Sequence, residues 1–486
     1  MASADPAVGE TQSEPTLRRC LNVWHLMLAG VGSTIGSGIF VITGTAAAQY
    51  AGPAVTLAFV FAAIVCLCTG LCYGELASVL PKSGGAYSYA RDVCGVLTGW
   101  IVGWCLVLEY LVACSAVAVG WSGYFADLLA GLGLALPHAL SSAPLASLAG
   151  SHHLIATGAL FNLPAALVVL AVTVLLVIGV RETNFANIIM VAIKVGIILV
   201  VIVFGAAYVR LENFQPFVPP NEGSYGEFGW SGVLRGSAVI FYAFLGFDGI
   251  STSAQESRNP QRDVGRGIMG ALAICTLLYV GMSIVMVGLA DYRTLNVANP
   301  VSVALAAAGG DLAWLRPLVN IGVVVGLASA ILIGLYGQTR ILYVMAQDGM
   351  VPRLFGRVDA RFRTPAAGTV IVGVGCALFA GLLPIDVLGE LVSIGSLLAF
   401  AIVCFIVLLL RRRAPDLHRP FRVPFSPAVP VIGMLSSIYL MASLPGNTWI
   451  RLAIWLGVGM LIYLGYARPA VLRAAALRAG EAGGAP

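Results

Sequence analysis

Glycine and small hydroxyl residues interrupt two long apolar runs of this sequence. The interruptions read Gly30-Val-Gly-Ser-Thr-Ile-Gly-Ser-Gly-Ile-Phe40 and Phe241-Tyr-Ala-Phe-Leu-Gly-Phe-Asp-Gly-Ile-Ser251. A run that crosses a bilayer satisfies its backbone by helical hydrogen bonds, so a break there leaves N–H and C=O groups that must bind something. Tight helix packing through Gly32-x-x-x-Gly36 is the rival reading. Packing alone leaves unexplained why Gly32, Gly36 and Gly38 stand with Ser33, Thr34 and Ser37 within one short stretch. A pair of interrupted segments at corresponding positions in two halves of a chain points to a solute site at the bilayer midplane.

Ionisable residues inside apolar segments are the second chemical signal. Lys194 has at least six apolar or small residues on either side, and lysine at a helix centre costs about 2.5 to 3.5 kcal/mol. It therefore needs either a proton that can leave, since burial disfavours the ammonium, or carbonyls at a helix end that hold it charged. Asp248 lies within the second break and suits substrate binding, coupling or helix-end capping. Glu109, in Trp104-Cys-Leu-Val-Leu-Glu-Tyr-Leu-Val-Ala, suits a supporting role, and Glu75 stands six residues before Pro81 near the inner face, bordering water.

These residues need helices that span a membrane to position them. Hydrophobic residues make up 59% of 486 positions and charged residues 10%, with a mean hydropathy of +0.93, which excludes a soluble domain of this size. Twelve apolar runs are predicted: 24–50, 55–80, 96–120, 160–180, 188–208, 232–254, 268–290, 315–345, 366–383, 387–410, 429–444 and 449–466. Five basic residues (Arg210, Arg235, Arg293, Arg316, Arg451) fall on one side, Lys194 lies within a span, and the remaining 21 of 27 fall on the other. The excess places both termini in the cytoplasm and reads the clusters 353–363 and 411–422 as topology determinants rather than nucleic-acid sites. Residues 1–19 form a polar tail with no cleavable signal and 467–486 an Ala/Gly/Arg tail.

The interval from Gly36 to Gly246 is 210 residues. Five helices cross an odd number of times, so the pattern predicts an inverted repeat of 20–210 against 211–412, followed by two helices at 413–466. The glycines do not match a dinucleotide fingerprint, because the spacing differs and no strand precedes them. Nine of ten cysteines lie in or beside apolar spans as packing residues, and Cys66, Cys68 and Cys72 lack a zinc spacing. His152 and His153 sit in a connection between spans with no further ligand type nearby. No metal or cofactor is expected. The partners expected are a small-molecule substrate, protons and membrane lipids.

The sequence resembles the amino acid-polyamine-organocation superfamily, in its cationic amino acid transporter-like branch. The matching residues are Gly32-Ser-Thr-Ile-Gly-Ser-Gly-Ile-Phe40, Tyr73-Gly-Glu-Leu with Pro81-Lys-Ser-Gly-Gly-Ala-Tyr-Ser-Tyr89, and Phe241-Tyr-Ala-Phe-Leu-Gly-Phe-Asp248. Glu256-Ser-Arg-Asn-Pro-Gln-Arg-Asp263, Gly267-Ile268 and Arg340-Ile-Leu-Tyr-Val-Met-Ala-Gln-Asp-Gly349 extend the match. The resemblance implies an all-α polytopic fold of leucine-transporter type, with five-plus-five inverted repeats and helices 1 and 6 broken. It places a substrate carboxylate at Thr34, Ile35, Gly36, Ser37 and Gly38, and an ammonium at the carbonyls of Tyr242, Ala243 and Leu245. Phe241 and Phe244 would be gate or side-chain-pocket residues, and Lys194 would stand where sodium-coupled relatives bind an ion. A half-helix N-terminus favours an anion and free carbonyls favour a cation, in keeping with that arrangement. Two positions depart from the family pattern: Gln255 precedes Glu256, which weakens a strict preference for cationic substrates, and Gly265 replaces a proline, a change expected to affect only a loop.

The resulting expectation is a proton-coupled amino acid permease of the cytoplasmic membrane, with helices 1, 2, 6 and 7 moving against 3, 4, 8 and 9. The small and apolar residues at 326–333 hint at neutral substrates. An obligate exchanger of amino acids or polyamines and a non-transporting sensor are the rivals. An enzyme would need a catalytic His, Cys or carboxylate cluster, which the spans do not offer.

Overall fold

A computed structural model describes residues 22–80, 84–147, 154–179, 184–252 and 257–473. The tail 1–19, Pro81 to Ser83 of the second motif, His152, His153, Gln255, Glu256 and most of the tail 467–486 lie outside the described residues. Helices dominate. Among the described residues, eight helical stretches are long and apolar enough to cross a membrane, and Leu163–Ile178, Ala366–Leu382 and Ala428–Ser443 are shorter apolar helices. Leu277, Val203 and Leu461 are 75%, 66% and 73% exposed on such helices, which is stable only where lipid is the solvent.

The longest stretch, Gly38–Val79, runs 42 residues and turns sharply at Gly52. Its φ of +59° and ψ of −144° suit glycine alone. Pro53 then opens the next helix, where its missing N–H has no partner to lose. The Val96–Gly131 helix is 36 residues long, about 54 Å at the α-helical rise, and runs past the expected end at 120. It stops at Gly133, whose φ of +79° lets Leu134 N–H reach the Leu129 carbonyl at 2.9 Å. Beyond it an antiparallel pair, Leu145–Ser147 with Leu154–Ala156, adds a small β element to an otherwise helical chain. Two further helices, Gly85–Cys94 and Pro300–Ala307, occupy connections.

The Val96–Gly131 helix is the central post, packed on Leu315–Gln347, Ile385–Arg413 and Gly85–Cys94. Trp104 and Trp455 join it to Gly446–Ile462 by stacked rings 4.6 Å apart and by reciprocal indole-to-carbonyl hydrogen bonds of 2.8 and 3.0 Å.

Glu75 is structural. Its carboxylate accepts from Arg411 Nε at 3.0 Å, Arg411 Nη2 at 2.5 Å and Val423 N–H at 2.7 Å, with Arg419 beside it. Arg411 and Arg419 thus do more than mark topology, since Arg419 also caps the carbonyls of Leu410, Ala414, Pro415 and Leu417. The bonds to Glu75 fasten residues 414–427 beneath the bundle and press Phe421 against Gly74 and Gly265. Gly265 is accordingly not a loop position: it lies in the Pro260–Leu289 helix, where a Cβ would meet the Phe421 ring at 2.7 Å. Replacing Glu75 with alanine strands the Arg411 guanidinium, so a loss of about 3 to 5 kcal/mol in stability is expected. Unfolding of purified protein in detergent, followed by tryptophan fluorescence, measures it.

Candidate functional site

Both interruptions are present. The Val23–Thr34 helix ends at Ile35, whose ψ of 102° leaves the helical region, and helical winding resumes at Ser37 and Gly38. In the second, Gly229–Ile240 tightens into a 3₁₀ turn over Phe241–Phe244, unwinds through Leu245 to Asp248 and restarts as Gly249–Thr252.

The two breaks meet. A Cβ at Gly38 would lie 2.3 Å from Ala243 Cα, and one at Gly246 would lie 2.7 Å from the Ser33 carbonyl oxygen. Gly246 also has φ +109°, so glycine is required twice over. Ser33 Oγ donates to the Gly30 and Gly246 carbonyls, both at 3.0 Å. Gly36 differs: a Cβ there would find Val117 and Ala330 at 3.9 and 4.0 Å, ordinary contact distances. Its cradle holds room for one small group beside the first N–H groups of a resumed helix, which lack intrahelical acceptors.

Lys194, 2% exposed, donates from Nζ to the Gly32 carbonyl at 2.9 Å. Its stem lies against Gly326, where a Cβ would sit 3.0 Å from Lys194 Cγ. The Val23–Thr34 helix, Lys194 and the Leu315–Gln347 helix therefore touch at one point. On the other side of the break, the Tyr279 hydroxyl donates to the Thr34 carbonyl at 3.0 Å, while Thr34 Oγ1 is buried with no hydrogen-bond partner among the described residues.

The aromatic residues of the second break divide by direction. Phe241 packs on Phe400 at 5.2 Å, and Phe244 on Tyr279 and Phe59 at 5.3 and 6.3 Å, both fully buried. Tyr242 turns toward the first break, where its hydroxyl meets Ser37 Oγ at 2.5 Å and donates to the Ala113 carbonyl at 3.3 Å. The sequence reading singled out the two phenylalanines and gave Tyr242 only a carbonyl. A tyrosine in an apolar run carries a hydroxyl that seeks a partner, and that was the available signal.

Asp248 Oδ1 accepts the Gly246 N–H at 3.2 Å and its carbonyl takes the Ser251 hydroxyl at 2.6 Å, an arrangement that caps the restarted helix. Glu109 is 4% exposed with Oε2 unpartnered among the described residues, as are the hydroxyls of Tyr73 and Tyr89. Asp248, Glu109 and Tyr89 all lie within electrostatic reach of Tyr73. Sequence reasoning passed over further buried charges. Glu390 accepts from Thr448 at 2.7 Å, Tyr50 at 3.2 Å and Arg451 at 3.4 Å.

Two abutting helix breaks, a buried lysine bonded to one of them and a shell of long apolar helices define a class: a multi-pass membrane transporter. The chain belongs to the amino acid permease family, within the amino acid-polyamine-organocation superfamily, and that family model matches residues 21–463. The methylthioribose transporter of Bacillus subtilis is 42% identical over 453 residues, covering 93% of this chain and 94% of that protein. A branched-chain amino acid permease, BcaP, of the same organism is 41% identical over 467 residues, covering 96% and 97%. The vacuolar cationic amino acid transporter 2 of Arabidopsis thaliana is 38% identical over 412 residues, covering 85% of this chain and 62% of its own length. The family is one of transporters, not enzymes.

Proposed function

We propose that this chain is a secondary active permease that imports neutral α-amino acids across the cytoplasmic membrane by alternating access, coupled to protons through Lys194. The observation that carries the reading is the contact of Lys194 Nζ with the Gly32 carbonyl at the first break, directly across from the second. A substrate carboxylate lies at Thr34, Ile35, Gly36, Ser37 and Gly38, and its ammonium at the carbonyls of Tyr242, Ala243 and Leu245. Val117 and Ala330 beside Gly36 leave an apolar setting for a small or branched side chain. Protonated Lys194 holds the first break in its binding form, and loss of the proton on the cytoplasmic side releases it. Glu109 and Asp248 are the supporting acids of this site.

Twelve crossings in a five-plus-five inverted repeat with both termini cytoplasmic fit this mechanism. Dividing Gly38–Val79 at Gly52, with Val23–Thr34 joined to its first part, and adding the three shorter helices to the remaining long stretches gives that number. The positions of the two breaks, one in each half, support the repeat. Methylthioribose is a second substrate reading, favoured by the relative that carries it and by the hydroxyls of Thr34, Ser37 and Tyr242 around Gly36.

In proteoliposomes, an inward proton gradient is expected to drive uptake of a labelled branched-chain amino acid or alanine without internal substrate. Unlabelled neutral amino acids should compete better than arginine, lysine or methylthioribose. Uptake that requires preloaded substrate would make the protein an exchanger, and competition by methylthioribose alone would replace the substrate.

A further inference from the structure

The connection that ends in Pro300–Ala307 lies directly on residues 38–51, the second half of helix 1. A Cβ at Gly44 would strike the Leu295 carbonyl at 2.3 Å and Pro300 at 2.6 Å, and one at Gly123 would strike Ala298 at 2.5 Å. It therefore bridges helix 1 and the Val96–Gly131 helix with no space between them. The segment it covers at Gly44 follows directly on the first break.

Two residues of the Val96–Gly131 helix, three positions apart and hence on one face, fasten the connection. The Tyr124 hydroxyl, fully buried, donates to the Phe40 carbonyl at 2.7 Å and accepts the Val301 N–H at 3.3 Å. Asp127 accepts from Ser302 Oγ at 2.5 Å, from Asn320 Nδ2 at 2.5 Å and from Arg316 Nε at 3.2 Å, with a second bond from Arg316 Nη2. Arg316 Nε also reaches Ser302 Oγ at 2.8 Å. Arg316 and Asn320 belong to the Leu315–Gln347 helix, which also carries Gly326 against Lys194. Arg316 and Asn320 lie outside residues 291–307 and bond Asp127 directly, so Asp127 has partners besides Ser302.

We propose that Tyr124 and Asp127 form a two-point latch that holds residues 291–307 closed over the second half of helix 1. Tyr124 releases helix 1 and the lid together, because one hydroxyl serves both. Asp127 is a preset receptor for Ser302, positioned by Arg316 and Asn320. Both residues are positioning residues for the closing step rather than contacts of the solute. The inference rests on the alternating-access reading, but its test does not depend on which solute is carried or on protons.

The test places a reporter cysteine at Ala330, beside the Gly36 cradle, and measures its modification by a membrane-impermeant maleimide in vesicles of each orientation. The protein without the reporter supplies the background from the native cysteines. Tyr124→Phe and Ser302→Ala each remove a single hydroxyl and are expected to raise the labelling rate from the lid side by about fivefold, the ratio one hydrogen bond of ordinary strength supports. The rate from the opposite side should stay level or fall. Asp127→Asn is expected to act in the same direction. An unchanged or slower rate from the lid side in both hydroxyl variants overturns the latch, and equal gains from both sides would show general loosening and overturn it as well.

Discussion

Gly36→Ala is expected to fold and reach the membrane as the unsubstituted protein does, yet bind substrate about 10- to 100-fold more weakly. The first half of that expectation follows from the space around it. The added methyl group would stand 3.9 Å from Val117 Cγ2 and 4.0 Å from Ala330 Cβ, contacts that require no movement. The second half follows from what the space is for. If the substrate carboxylate sits against Gly36, Ser37 and Gly38, a methyl group in the cradle displaces it, and overfilling a fitted site costs about 1 to 3 kcal/mol, or about one to two decades of affinity.

Gly38→Ala supplies the contrast. There the methyl group would lie 2.3 Å from Ala243 Cα, 2.5 Å from its Cβ and 3.0 Å from its N, so the two half-helices must separate. This variant should lose both thermal stability and binding, since a displacement of about 1 Å in a positioning element is enough to cost 10²-fold. Ligand-induced thermal stabilisation of each purified variant separates the cases. If Gly36→Ala is stabilised by substrate as strongly as the unsubstituted protein, the substrate does not lie in this cradle.

The unlike roles of these two glycines, two positions apart, show what the sequence made legible and what it did not. Six glycine or hydroxyl residues in an apolar run have no use in a continuous helix, so the break could be placed to within a few residues. Lys194 was equally plain, because no packing role suits an ammonium in that setting. The direction of a side chain around an irregular turn was not legible. Phe241, Tyr242 and Phe244 are near neighbours in the sequence, but only Tyr242 turns to Ser37, 205 residues away.

Partners at long range were equally hidden. Glu75 looked like a residue bordering water until Arg411, 336 residues further on, was seen to hold it. Gly265 looked like a loop residue until the ring of Phe421 was found in the space its missing side chain leaves. The Pro300–Ala307 helix was missed for another reason: at eight residues it is too short to show a period and is held by Tyr124 and Asp127 rather than by its own propensity.

Lys194→Met is expected to abolish proton-driven accumulation while leaving exchange of substrate across the membrane. Methionine replaces the stem that packs on Gly326 and removes the one group in this contact that can carry a proton. In the unsubstituted protein, a driving force of about 100 mV supplies about 2.3 kcal/mol per charge, enough to concentrate substrate about 50-fold. Without a proton carrier the ratio should settle near unity. Binding should weaken as well, because the Gly32 carbonyl loses its 2.9 Å donor and a charge-assisted hydrogen bond is worth about 1.5 to 3 kcal/mol.

Lys194→Arg separates charge from proton transfer. A guanidinium keeps its proton at any working pH, so a lysine that acts only as a fixed clamp should be partly replaced by arginine, whereas a lysine that cycles its proton should not. The space is tight, with the Gly326 Cβ position only 3.0 Å from Lys194 Cγ, so substrate binding by the arginine variant must be measured beside its transport. Binding retained with accumulation lost assigns the proton to Lys194. Accumulation preserved in Lys194→Met would move the coupling elsewhere, and Glu109, with an unpartnered carboxylate oxygen among the described residues, is the next group to replace.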